Sequence, residues 1–128
     1  MTVDELLSKA RMAIKSSKLL LDAGDLDGAC NRAYYAMFDA ARAALLGTGA
    51  ISSLASIKTH SGLISEFSLQ LVKTGKVSID LGKAINKVED LRLIADYKGD
   101  NIETEQASWA HEQARIFVGT MEQLSKSS

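Results

Sequence analysis

Asn31-Arg32-Ala33-Tyr34-Tyr35-Ala36-Met37-Phe38 gathers two of the chain's three Tyr and one of its three Phe into a single short stretch. The stretch reads as helix. At ~100° per residue, Tyr34 shares one side with Leu26, Cys30, Ala33, Met37, Ala41, Ala44 and Leu45. Arg32, Tyr35, Asp39 and Arg42 share the other side. The first side can pack a core. The second carries Arg and Tyr where an ordinary solvated helix carries Lys and Glu, and those residue types are enriched where proteins meet partners. A solvated face with internal salt bridges is the competing reading of the same line.

Helical periodicity continues in both directions. The chain contains no proline, so glycine is its main punctuation. Thr2-Val3-Asp4-Glu5 has the capping-box pattern and opens a first helix. Its stripe of Leu6, Leu7, Ala10, Ala13, Ile14 and Ser17 runs to a stop at Gly24. The second helix spans about 25–46 and ends at Gly47-Thr48-Gly49, followed by a Gly-, Ser- and Ala-rich connector. A third helix over about 57–73 presents Leu63, Ile64, Phe67 and Leu71, and a fourth over about 78–97 presents Leu81, Ala84, Ile85, Val88 and Leu91. Asp100 and Glu103 are spaced as another capping box before a last helix carrying Ala107, Ala110, Ala114, Phe117, Met121 and Leu124. Long helices joined by short turns predict an all-α, up-and-down antiparallel bundle of four to five helices. Residues 1–124 form one domain, and 125–128 read as a short polar tail.

Composition narrows the function classes. At 128 residues, 46% apolar and 24% charged, the chain is long enough to fold without metal or disulfide. The single Cys30 excludes an internal disulfide and multi-Cys zinc, and its place on the apolar side marks it as a small core residue. A net charge of −1 argues against duplex binding by bulk charge, leaving local clusters as the route to any nucleic acid. No apolar run reaches the ~18 residues of a membrane span, and Asp4 and Glu5 do not suit a signal peptide. The expected location is the cytoplasm. There is no Gly-rich phosphate loop, and His60 and His111 lack metal-ligand spacing, so no cofactor and no metal is expected.

Two residues stand out for chemistry. Arg92 lies at the edge of an apolar stripe, with Glu89 at i−3 and Asp96 at i+4, each within pairing reach. It is either a buried guanidinium held by those carboxylates or a fork aimed at phosphate. His60 falls in the stripe of Ile57, Leu63 and Ile64, as a hydrogen-bonded core residue or a proton shuttle near neutral pH. Trp109 and His111 read as packing or surface residues.

With these residues in place the chain resembles the HEPN domain family, specifically its small single-domain members. The matching words are Asn31 to Phe38, Lys58-Thr59-His60-Ser61-Gly62-Leu63, and Leu91-Arg92-Leu93-Ile94-Ala95-Asp96-Tyr97. The resemblance implies a helical bundle, usually a homodimer with a cleft along the dimer contact. Many HEPN proteins are metal-independent endoribonucleases marked by an Arg followed four to six residues later by His. Small members often pair with a minimal nucleotidyltransferase, the HEPN chain acting as toxin and the partner as antitoxin. In some pairs the partner adenylylates a tyrosine near the marker.

This sequence departs from the marker. Arg residues stand at 11, 32, 42, 92 and 115, and none is followed by His at that distance. Five places after Arg92 stands Tyr97. Attack by a ribose 2′-hydroxyl needs one group to take a proton and another to supply one. Tyr near pKa ~10 and Asp near ~4 are poor shuttles at neutral pH. Two functions remain open, beside that of a plain dimerisation adaptor using the seam of the last helix. One is RNA cleavage at a dimer cleft, with Arg92 on the phosphate, His60 in proton transfer, and Arg32, Tyr35, Asp96 and Tyr97 lining the cleft. The other is a non-catalytic helical module that binds a nucleotide or complexes with a minimal nucleotidyltransferase.

Overall fold

The computed structural model describes residues 1–98 and 101–126, for Lys98 the backbone alone. Five helices follow in order: α1 (Val3–Asp22), α2 (Leu26–Gly47), α3 (His60–Phe67), α4 (Ile79–Leu93) and α5 (Thr104–Lys126). A 3₁₀ turn covers Leu54–Ser56, and α3 and α4 run on into wider π-helical turns at Ser68–Val72 and Ile94–Lys98. Among the described residues there is no strand. The protein is an all-α bundle.

Local sequence accounts for the helix ends. The Thr2 hydroxyl accepts from Glu5 N at 3.1 Å while the Glu5 carboxylate accepts from Thr2 N at 3.0 Å, closing the predicted capping box. At the other end of α1, Gly24 takes φ +83°, a conformation that favours a residue without Cβ. That turn lets Asp25 N reach Leu20 O at 2.9 Å and sets Asp25 to cap α2 through Gly28 N, also at 2.9 Å.

α2 lies at the centre. It packs most extensively on α1, then on α5, and also touches α3 and α4. Small side chains make this placement sterically feasible, because Ala29, Ala33, Ala36, Ala40 and Ala43 are all fully buried and let neighbouring helices approach on several sides. Tyr34, Met37 and Leu45 are likewise buried, and the Phe67 and Phe117 rings meet at 5.3 Å between centroids on the far side of the core. Each such large apolar side chain contributes about 1.5–3 kcal/mol by leaving water.

Several sequence expectations shift. α2 is not two-sided. Ala36 and Ala40 are buried opposite Tyr34, and Asp39, placed on the outward line, is 6% exposed and bonded to Arg42 at 3.1 Å. α3 begins at His60 rather than near residue 57, because Thr59 caps it by accepting from Gly62 N at 2.9 Å while Ile57 stays extended. His60 therefore sits in the first turn, not in mid-stripe. The last helix continues through Lys126, and Ser125, read as the start of a tail, is buried with its hydroxyl on Met121 O at 2.7 Å. Residues 127–128 and Asp100, with its capping-box expectation, lie outside the described residues.

Candidate functional site

α2 and α4 pack side by side and bring Arg92 against Tyr34 and Tyr35. Along α4 and the π-helical turn that continues it, residues three and four positions apart share a face, so Glu89, Arg92 and Asp96 line up. Arg92 Nε donates to Glu89 Oε2 at 3.0 Å and Nη2 donates to Glu89 Oε1 at 2.9 Å, a bidentate fork. Nη1 donates to Asp96 Oδ2 at 3.1 Å, and Asn31 Nδ2 makes a longer bond of 3.3 Å to the same oxygen. The guanidinium carbon lies 5.0 Å from the Tyr34 ring centroid and 5.6 Å from that of Tyr35. Arg92 is 5% exposed. Its hydrogen bonds to Glu89 hold its pKa above the ordinary arginine value against the opposing effect of burial, so it is a permanent cation.

Tyr34 joins this ion-pair cluster to His60. Its hydroxyl lies 2.9 Å from His60 Nδ1. Burial, and then the nearby Glu89 carboxylate, push the phenol well above its usual range, so it stays protonated at neutral pH. The imidazole sits among aromatic rings, 4.7 Å from Phe38 and 5.7 Å from Tyr35 between centroids. It is half-buried. With Nδ1 engaged by Tyr34, Nε2 is the nitrogen left for other contacts.

Of the residues singled out by sequence, Arg92, Asp96 and Tyr35 come together directly, and His60 joins them through Tyr34. Arg32 lies across the Tyr35 ring, its guanidinium carbon 5.7 Å from the centroid. Tyr97 is 74% exposed, yet its side chain reaches Arg92 from the edge of the cluster. Tyr34 was assigned to the core, and it is fully buried, yet its hydroxyl links the two halves of the site. Asn31 had no assigned role. Its bond to Asp96 spans 65 positions, a pairing that helical spacing does not reveal.

The other histidine, a buried one, lies elsewhere. His111 is 9% exposed, with Nδ1 3.2 Å from the Ser17 hydroxyl, which itself donates to Ala29 O at 2.9 Å. Since that hydroxyl proton is committed, His111 Nδ1 is the donor in its own bond. This network ties α5 to α1 and α2, well apart in sequence from the Arg92 words. Among the described residues no group of three His, Cys, Asp or Glu could hold a metal ion. Among them, too, no helix is long and apolar enough to cross a membrane.

A family model described as the HEPN domain matches residues 3–124. A protein of Thermotoga maritima named "UPF0332 protein" is 37% identical over 119 residues, covering 91% of this chain and 85% of its own length. A Methanocaldococcus jannaschii protein named "Putative toxin MJ0142" is 31% identical over 117 residues, covering 91% of this chain and 76% of its own. A second protein of that organism, named "Putative toxin MJ0605", is 31% identical over 124 residues, covering 97% and 89% respectively. Matched along nearly its whole length, the chain belongs to the HEPN domain family.

Proposed function

We propose that this protein is the HEPN component of a toxin–antitoxin or nucleotidyltransferase-linked two-gene module, and that it works as a homodimer by binding rather than by cleaving RNA. Family membership and the toxin names of two relatives support the module. The observation that carries the non-catalytic reading is the state of Arg92. Three of its five N–H groups are committed to Glu89 and Asp96, and the side chain is 7% exposed. A guanidinium so held braces α4 against the two tyrosines instead of waiting for a phosphate. Exposed Tyr97, five residues on, lies where a partner can reach it.

The Tyr34–His60 bond favours a second reading, metal-independent cleavage of RNA. His60 then takes the proton of the 2′-hydroxyl as its oxygen bonds to phosphorus and the P–O5′ bond breaks, and passes that proton to the departing 5′-oxygen, while Arg92 exchanges Asp96 for the phosphate. The two readings separate on one experiment. Wild type, Asp96→Asn and His60→Gln are incubated with a mixed RNA pool in EDTA, and the wild type is co-expressed with a minimal nucleotidyltransferase from the same genome. Under the binding reading, the chain co-purifies with that partner and none of the three proteins cleaves RNA. Cleavage that rises in Asp96→Asn and disappears in His60→Gln would establish the nuclease instead.

A further inference from the structure

The side of α4 turned away from the ion-pair cluster meets the start of α5 in a groove. At ~100° per residue, Lys87, Asp90 and Leu91 fall within one arc of α4, opposite Glu89 and Arg92. Glu105, Gln106 and Trp109 share an arc of the same width on α5. Together these six residues line a groove of about 370 Å³, a volume within the range of small-molecule sites.

The lining combines apolar surface with unanswered charge. Trp109, the chain's single Trp, is 38% exposed and borders the groove instead of joining the core. Leu91, half-buried against the core, adds aliphatic surface from α4. Gln106 is engaged within α5, its Oε1 accepting from Glu103 N at 2.9 Å, which fixes the first turn and with it the wall that carries Glu105. Asp90 and Glu105 are exposed and come one from each helix. Among the described residues neither has a cationic partner within 4.0 Å, nor has Lys87 a carboxylate.

Two carboxylates against one Lys leave the groove net negative, so it suits a cation. An ammonium donates hydrogen bonds to a carboxylate, an indole face attracts positive charge, and a methylene chain covers apolar surface. A ligand with one ammonium leaves one of the acids unanswered. One with two, joined by methylenes, meets both and covers Trp109 and Leu91 between them.

We propose that Asp90, Leu91, Glu105 and Trp109 form a binding site for a linear aliphatic diamine, with one ammonium at each carboxylate. Lys87, the cation of the lining, opposes it. The site faces away from Arg92, reaches beyond the module function above, and depends on neither a protein partner nor RNA cleavage.

Trp109 supplies a readout. Its fluorescence in the full chain is titrated with diamines from 1,3-diaminopropane to 1,6-diaminohexane, alongside isothermal calorimetry, at constant ionic strength so that screening does not change along the titration. Saturable binding is expected, and the n-alkylamine matched in length to the tightest diamine binds about fivefold more weakly. Asp90→Asn and Glu105→Gln each weaken the diamine by about fivefold, the upper end for an exposed ion pair, and Lys87→Ala tightens it. These positions are exposed, so helical circular dichroism stays at the wild-type value. Asp4→Asn, at the start of α1 and outside the lining, leaves the affinity unchanged. No binding by either readout, equal affinity for diamine and monoamine, or unchanged affinity in both carboxylate variants would overturn the proposal.

Discussion

Replacing Arg92 with Ala removes a cation that is 7% exposed in its side chain, and it leaves behind Glu89 at 14% and Asp96 at 24% exposure. Deleting one member of a buried pair costs about 3–5 kcal/mol, because the remaining charge has lost both water and partner. Glu89 suffers more, being the more enclosed and losing both of its bonds to the fork. Asp96 retains Asn31 and more water. The lower end of the range, about 3 kcal/mol, is therefore expected. For 128 residues the unfolding entropy makes 1 kcal/mol worth about 4 °C, so Tm falls by about 12 °C. Urea unfolding followed by helical circular dichroism, at unchanged slope, measures the loss. Glu89→Ala in the Arg92→Ala background should cost much less than Glu89→Ala alone, and the cycle isolates their coupling. A drop of less than about 4 °C for Arg92→Ala would refute the bracing role. The guanidinium would then be free to meet a ligand, and the binding reading would lose its main support.

Burial pushes the His111 pKa below its ordinary 6.5, with Lys18 adding to the effect. The unfolded chain then takes up a proton that the folded one resists. Stability is accordingly full above about pH 6.5 and declines as pH falls from there toward the lowered folded value. His111→Gln should flatten that part of the profile in urea titrations from pH 7.5 to 5, and an unchanged slope would assign it to other groups. Cys30 is fully buried, and its thiol is pushed up to about 11 by burial and Asp27. Labelling of the native protein by a thiol reagent at pH 8 should therefore be limited by unfolding and accelerate in Arg92→Ala. Immediate labelling of wild type would contradict the packing of α2.

Much of the scaffold was legible from residue patterns. The Thr2–Glu5 capping box, the stop at Gly24, and the buried stripes of α1 and α5 follow from spacing, because caps and helical faces involve residues three or four positions apart. Glu89 and Asp96 were readable as partners of Arg92 for the same reason. The start of α3 was misplaced because Ile57 continues the apolar period, whereas Thr59 supplies the stronger local signal by capping. The outward line of α2 was misread at Asp39 because a projection knows one helix and not how many others surround it.

By itself, the sequence determined an all-α chain with the words of the HEPN family. Tertiary structure alone decided what those words do together. Arg92 is sealed rather than open because α2 lays two tyrosines across it, and His60 is tied to Tyr34 across 26 positions. Asp90 and Glu105 stand on separate helices and line one groove only when α4 packs against α5. Helical periodicity reports which residues share a face. Burial and charge clustering depend on which faces then meet.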